Sequence, residues 1–270
     1  MSQITLIKSM QPSRICKRFT IKDGRLQKDA IANVTEAQAA SVNVSDVHKM
    51  VRQLERVTES HDQAICTGIF HNAPKGKFNL LSENKLKRIV NCDPSNGVIE
   101  HKGEWYAARK KESMAPTPWL LIDADNPTGI PPEYARMNIN ERLELLEPIV
   151  PNISKCERIE LRSSSSRVVK DGEKPPHATH AWIKVNDADK LEVLRAHIDV
   201  EADLHGISFK SPRLSSIDGK EIGQNRRTII DLAVFIHGRL VFCAKPIVEA
   251  DGYSVVDADI RIVNEGMHYA

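Results

Sequence analysis

The chain has 270 residues, enough for one large domain or two modest ones, each able to bury its own core. Hydrophobic residues make up 41% and charged residues 27%, and no stretch approaches the roughly 18 to 20 consecutive apolar residues a membrane helix needs. Lys plus Arg (38) barely exceed Asp plus Glu (36), so overall charge selects no nucleic-acid partner, and five scattered cysteines suggest neither a disulfide framework nor a zinc knuckle.

"MSQITLIKSMQPSR" lacks the longer apolar core of a signal peptide, so a cytoplasmic setting is the default expectation. Within it, "ITLIKS" reads as a short strand. After Ser45-Asp46, a capping pair, Val47, Met50, Val51, Leu54 and Val57 recur at the spacing of an amphipathic helix. "QAICTGIF" (63 to 70) and "WLLIDAD" (119 to 125) read as buried strands, the second ended by Asn126-Pro127 and Gly129. A helix around "INERLELLEPIV" stops at Pro148.

"CERIELRSS" (156 to 164) and "THAWIKV" (179 to 185) read as strands separated by a polar loop. A helical stripe follows at Leu191, Leu194 and Ile198. "RTIIDLAVF" and "RLVFCA" read as two strands joined through Ile236-His237-Gly238 as a hairpin. Mixed elements without a repeat predict an α+β or α/β class. The one candidate boundary, where "ARKKES" gives way to "MAPTP", divides residues 1–115 from 116–270. The end at "DADIRIVNEGMHYA" suits a fragment of a longer protein.

Strand side chains alternate, so Asp123 and Asp125 project from one face with α-carbons about 6.5 to 7 Å apart. Like charges that close repel, and a magnesium or manganese ion with hard oxygen ligands removes the repulsion. Asp231 is the candidate third acid, because a carboxylate among Ile229, Ile230, Leu232 and Val234 is costly unless paired or metal-bound. Asp125 can equally serve the Asp-Asn-Pro-Thr-Gly turn, Asp231 can face solvent on an edge strand, and the decoy "VVDADI" near the C-terminus shows how cheaply the pattern arises.

"ELRSSSSRV" brackets four serines with Arg162 and Arg167. Hydroxyls and guanidinium groups suit a triphosphate, though a serine run is also a common loop. His180 begins a strand, where it can donate to a phosphate, act as acid or base, or sit satisfied in the core. Between 208 and 230, Lys210, Arg213, Lys220, Arg226 and Arg227 outnumber two acids shortly before Asp231.

In this order, the pieces resemble the archaeo-eukaryotic primase superfamily, above all the primase-polymerases of plasmids and phages. "LLIDAD" is similar to its hydrophobic-Asp-x-Asp motif, "ATH" ending at His180 to its small-x-His motif, and "IID" ending at Asp231 to its hydrophobic-Asp motif. The resemblance covers roughly residues 118 to 235, and His180 is separated from the serines by a basic, proline-containing loop. It implies an α+β fold with an RRM-like catalytic half (116–270) and a smaller αβ half (1–115). It also implies metal-dependent nucleotidyl transfer from nucleoside triphosphates on a single-stranded DNA template, with a helicase domain or protein as a further partner. Asp123, Asp125 and Asp231 would be the catalytic metal ligands for magnesium or manganese. His180, Ser163, Ser165, Arg167, Arg226 and Arg227 would bind the nucleotide.

"LLIDADN" also resembles the opening of NYN/PIN-type nucleases, although more than a hundred residues precede it here. His177 and His180 loosely resemble the metal motif of rolling-circle initiators. A nonenzymatic RRM-like nucleic-acid-binding domain is the reading from another class, and it should expose aromatics on its central strands.

Overall fold

The computed structural model describes residues 2–10, 15–30, 36–215 and 219–268, and they form a mixed α+β structure. Trp119–Asp123, His180–Lys184, Arg158–Leu161 and Arg261–Val263 make a four-stranded sheet in that spatial order, each neighbouring pair antiparallel. Helix Ile139–Leu146 links the aspartate strand (Trp119–Asp123) to Arg158–Leu161, and helix Leu191–Leu204 follows the histidine strand (His180–Lys184). The run is therefore strand, helix, strand, strand, helix.

Both faces of this sheet are buried, which is why "WLLID" reads as a continuous apolar run rather than an alternation. Leu120, Ile122, Ala181 and Ile183 pack on Leu143, Leu146 and Ile198 of the two helices. On the other face Trp119, Leu121, Ile159 and Trp182 pack with Ile4, Leu6, Met50, Leu54 and Val57 from the N-terminal part. Trp119 Nε1 donates to Val44 O at 3.0 Å across that junction.

The N-terminal part is built on a seven-stranded sheet that includes Gln3–Ser9, Glu36–Asn43 and Gln63–Cys66. Helix Val47–Thr58 begins where expected, with Asp46 accepting from the Lys49 amide at 2.8 Å. Leu240–Val241 is one of the two outer strands of this sheet, and Ile247–Glu249 joins the hairpin of Lys17–Lys22 and Arg25–Ala30. The chain thus returns to its N-terminal part after the turn at Leu232–Phe235.

Two sequence expectations are corrected. "QAICTGIF" is not one strand: it breaks at Thr67, whose amide bonds Arg239 O at 2.9 Å, and Gly68–Phe70 pairs instead with Met114–Pro116. At Gly68 a Cβ would meet Met114 Sδ at 2.8 Å and the Gly238 backbone nitrogen at 3.0 Å, so glycine lets the two segments approach this closely. Nor do "RTIIDLAVF" and "RLVFCA" form a hairpin. Ser208–Leu214 and Glu221–Thr228 pair as a separate two-stranded ribbon, and Leu232–Phe235 is a 3₁₀ turn capped by Asp231. The apolar run marks burial against the helices, not extension, because Ile229, Ile230, Leu232 and Phe235 all enter the helix-side core.

No helix among the described residues is long and apolar enough to cross a membrane.

Candidate functional site

The first acid ends its strand directly opposite His180. His180 Nε2 lies 3.7 Å from Asp123 Oδ1, and the Asp125 amide donates to the same oxygen at 3.1 Å. Burial opposes ionisation of Asp123, but the His180 imidazole, the Asp125 amide and Lys17 outweigh it, holding the carboxyl below its ordinary range. His180 is itself only 3% exposed, and its Nδ1 is buried without a hydrogen bond among the described residues.

Lys17 arrives from the N-terminal hairpin and its Nζ donates to Ser165 Oγ at 2.7 Å. Burial pushes its ammonium below the usual lysine range, and the attraction of Asp125 and Asp123 offsets part of that. A second buried cation stands behind the acids. Arg142, on the apolar stripe of helix Ile139–Leu146, donates to Ile229 O at 2.7 Å, to Tyr134 O at 2.9 Å and to the Asn126 side chain. Burial lowers the basicity of its guanidinium while Asp125 and Asp123 pull the other way. The paired charges at the end of "LLIDAD" are therefore matched from within the protein on two sides.

Asp231 reaches the same place from a distant part of the chain. Its amide donates to Asp123 O at 2.7 Å, and its carboxylate accepts from the Ala233 amide at 2.9 Å. Asp125 and Asp231 both line a cleft of about 520 Å³, together with Ser165, Ser166, Thr179, Lys28 and Arg227. Ser163 sits beneath it, its hydroxyl 3.4 Å from Asp125 Oδ1 and 3.2 Å from the Ser166 hydroxyl.

The expected nucleotide-binding arginines separate. Arg167 is 1% exposed and lies outside the cleft lining, its guanidinium donating to Thr58 O at 2.6 Å and Val256 O at 2.9 Å. A buried guanidinium needs such acceptors, so Arg167 pins the serine turn to the preceding structure instead of reaching the cleft. Arg226 is held by Asp199 and Asp203 of helix Leu191–Leu204. Arg227 is exposed, lines this cleft and the adjoining one, and makes no ion pair among the described residues.

Asp123, Asp125, Asp231, His180, Ser163, Ser165 and Arg227 are thus brought together, and Arg167 and Arg226 are directed elsewhere. Lys17, Lys28 and Arg142 were not anticipated. Lys17 shares the inward phase of Phe19 in a period-two strand, and Arg142 shares the stripe of Ile139, Leu143 and Leu146. A cation in an apolar phase was the available signal in both cases.

As a donor set, the aspartates suit a hard divalent ion, since Asp125 and Asp231 face one cleft and Asp123 is joined to Asp231 through the backbone. They are not drawn together into a cage: among the described residues no three His, Cys, Asp or Glu side chains are grouped closely enough to hold a metal. Comparison of the chain with protein-family models, with curated proteins and with solved structures returns no match.

Proposed function

We propose that this chain is the catalytic domain of a DNA primase or primase-polymerase of the archaeo-eukaryotic type, transferring nucleotides from nucleoside triphosphates on a single-stranded template. The observation that carries this reading is the meeting of Asp123, Asp125, His180 and Asp231, from three separate segments, at one end of one sheet beside a cleft lined by serines and Arg227. Connectivity supports it too. Strand, helix, strand, strand, helix, with those strands in spatial order first, third, second, is an RRM-like layout, to which Arg261–Val263 adds an outer strand beside the second while the turn at Asp231 hydrogen-bonds the end of the first.

In this mechanism the hydroxyls of Ser165 and Ser166 and the guanidinium of Arg227 bind triphosphate oxygens, with Lys28 adding charge at the same cleft. His180 and Lys17 hold Asp123 ionised, so its oxygens stay acceptors. Asp123, Asp125 and Asp231 would hold magnesium or manganese, which when bound supplies charge neutralisation at the attacking 3′ hydroxyl and the leaving pyrophosphate.

The nonenzymatic sheet reading loses support because Trp182 on a central strand and Trp119 on the outer strand beside it are buried at 0% and 1% exposure, leaving no stacking platform there. Incubation with single-stranded templates, ribo- or deoxyribonucleoside triphosphates and magnesium or manganese tests the proposal. Extension or primer synthesis is expected from the wild type and not from Asp123→Asn/Asp125→Asn. Absence of product across templates and both metals overturns it, and metal-dependent shortening of the template favours the nuclease reading.

A further inference from the structure

We propose that a second cleft, beyond Asp231, binds the sugar-phosphate backbone of a single-stranded nucleic acid. The cleft has a volume of about 390 Å³ and borders the first along Arg227, Thr228, Ile230 and Asp231. Four arginines line it: Arg195 from helix Leu191–Leu204, Arg226 and Arg227 from the ribbon, and Arg239 from the segment leading into Leu240–Val241.

Their counter-charges decide what the cleft can take. Arg226 is committed to Asp199 and Asp203. Glu192, on the same helix as Arg195, is taken by Lys111 at 2.7 Å and lies 3.5 Å from His237. Arg195, Arg227 and Arg239 have no carboxylate within ion-pair distance among the described residues, and Arg195 Nε is buried without a hydrogen-bond partner. Asp231 also lines this cleft, so three arginines without a paired carboxylate stand against one acid, and a chain of phosphates neutralises that surplus positive charge at several points at once.

Leu232 and Ile236 give the same cleft an apolar wall, against which sugars or bases can lie. A free triphosphate offers similar oxygens, but Ser165 and Ser166 line only the first cleft. The arginines continue on the far side of Asp231 from those serines, as a strand running through the site requires. The direction of the strand towards the acids rests on the function proposed above. Binding itself needs neither metal nor catalysis.

Fluorescence anisotropy of a labelled oligothymidylate, in chelator and without nucleotide over a salt series, reads this groove alone. Arg195→Gln and Arg239→Gln should each weaken binding and lower the slope of log affinity against log salt by about 0.7. Thermal unfolding identical to wild type checks the fold, and a fluorescent nucleoside triphosphate should bind both variants as it binds wild type. Wild-type affinity and slope in the double variant overturn the proposal, as does loss of triphosphate binding with oligonucleotide binding kept. Asp123→Asn/Asp125→Asn should still bind the oligonucleotide. An inactive wild type that binds it through these arginines counts against the catalytic reading only.

Discussion

The end of the aspartate strand and the turn at residues 229–235 touch through one backbone hydrogen bond, yet they hold their carboxylates in opposite ways. Asp123 is enclosed: His180 faces it, the Asp125 amide bonds it, and the charges of Lys17 and Arg142 act on it. Among the described residues Asp231 has a single side-chain hydrogen bond, from the amide of its own 3₁₀ turn, and its residue lines the cleft. A carboxylate fixed from several sides keeps its position whether or not a ligand is present. One held by its own cap alone can be drawn to a ligand for the loss of one hydrogen bond, worth about 1 kcal/mol. The strand end is the fixed part of the site and the turn its adjustable part.

Arg142 joins the two regions, so removing it should break the comparison most severely. Its guanidinium ties Asn126, next to Asp125, to the carbonyl of Ile229, two residues before Asp231. Arg142→Met leaves those acceptors and Tyr134 O buried and unpaired, and strips a positive charge from behind Asp125 and Asp123. A loss of about 3 kcal/mol is expected from urea unfolding. A variant within about 1 kcal/mol of wild type would show that the two regions hold together without it.

The enclosure of Asp123 has a signature in acid. Its pKa is depressed in the folded chain, so the unfolded chain takes up the proton first as pH falls. The stabilisation is complete above the unfolded value, about 3.9, and is lost as pH drops through the lower folded value. With chelator present, wild type should exceed Asp123→Asn in stability at neutral pH. That gap should narrow only below about pH 4. Denaturant midpoints collected from pH 7 to pH 3 check this, and a gap of constant size throughout would mean the charge of Asp123 contributes nothing to the fold.

The two regions also differ in how far the sequence disclosed them. "WLLID" could be read as a strand buried on both faces because burial leaves a local mark, and the phase of Asp123 and Asp125 followed from alternation. "TIIDLAVF" carries the same mark, yet its residues bury themselves through a turn. Apolar runs report burial and not backbone geometry, so the pattern predicts a strand at Asp231 where the structure has the cap of a 3₁₀ turn. The cationic support was hidden for another reason: Lys17 meets Ser165 across 148 positions of sequence, a pairing no local pattern records. One local signal went unread. Asp23-Gly24, both at positive φ, close the hairpin that carries Lys17 and Lys28, and that dipeptide is a strong mark of such a turn.

The smallest effect separates the cap at Asp231 from its charge. Asp231→Ala removes the acceptor for the Ala233 amide and should cost about 1 kcal/mol, whereas Asp231→Asn keeps an oxygen there and should cost only a few tenths. If the carboxylate also serves a divalent ion, magnesium or manganese should raise the unfolding temperature of wild type, because a ligand of the folded state stabilises it in proportion to its occupancy. That rise should shrink in both variants, although only one of them has lost the cap. Thermal unfolding with and without metal checks both quantities. An Asn variant that keeps the full metal-induced rise would reduce Asp231 to a helix cap and leave Asp123 and Asp125 as the acids of the site.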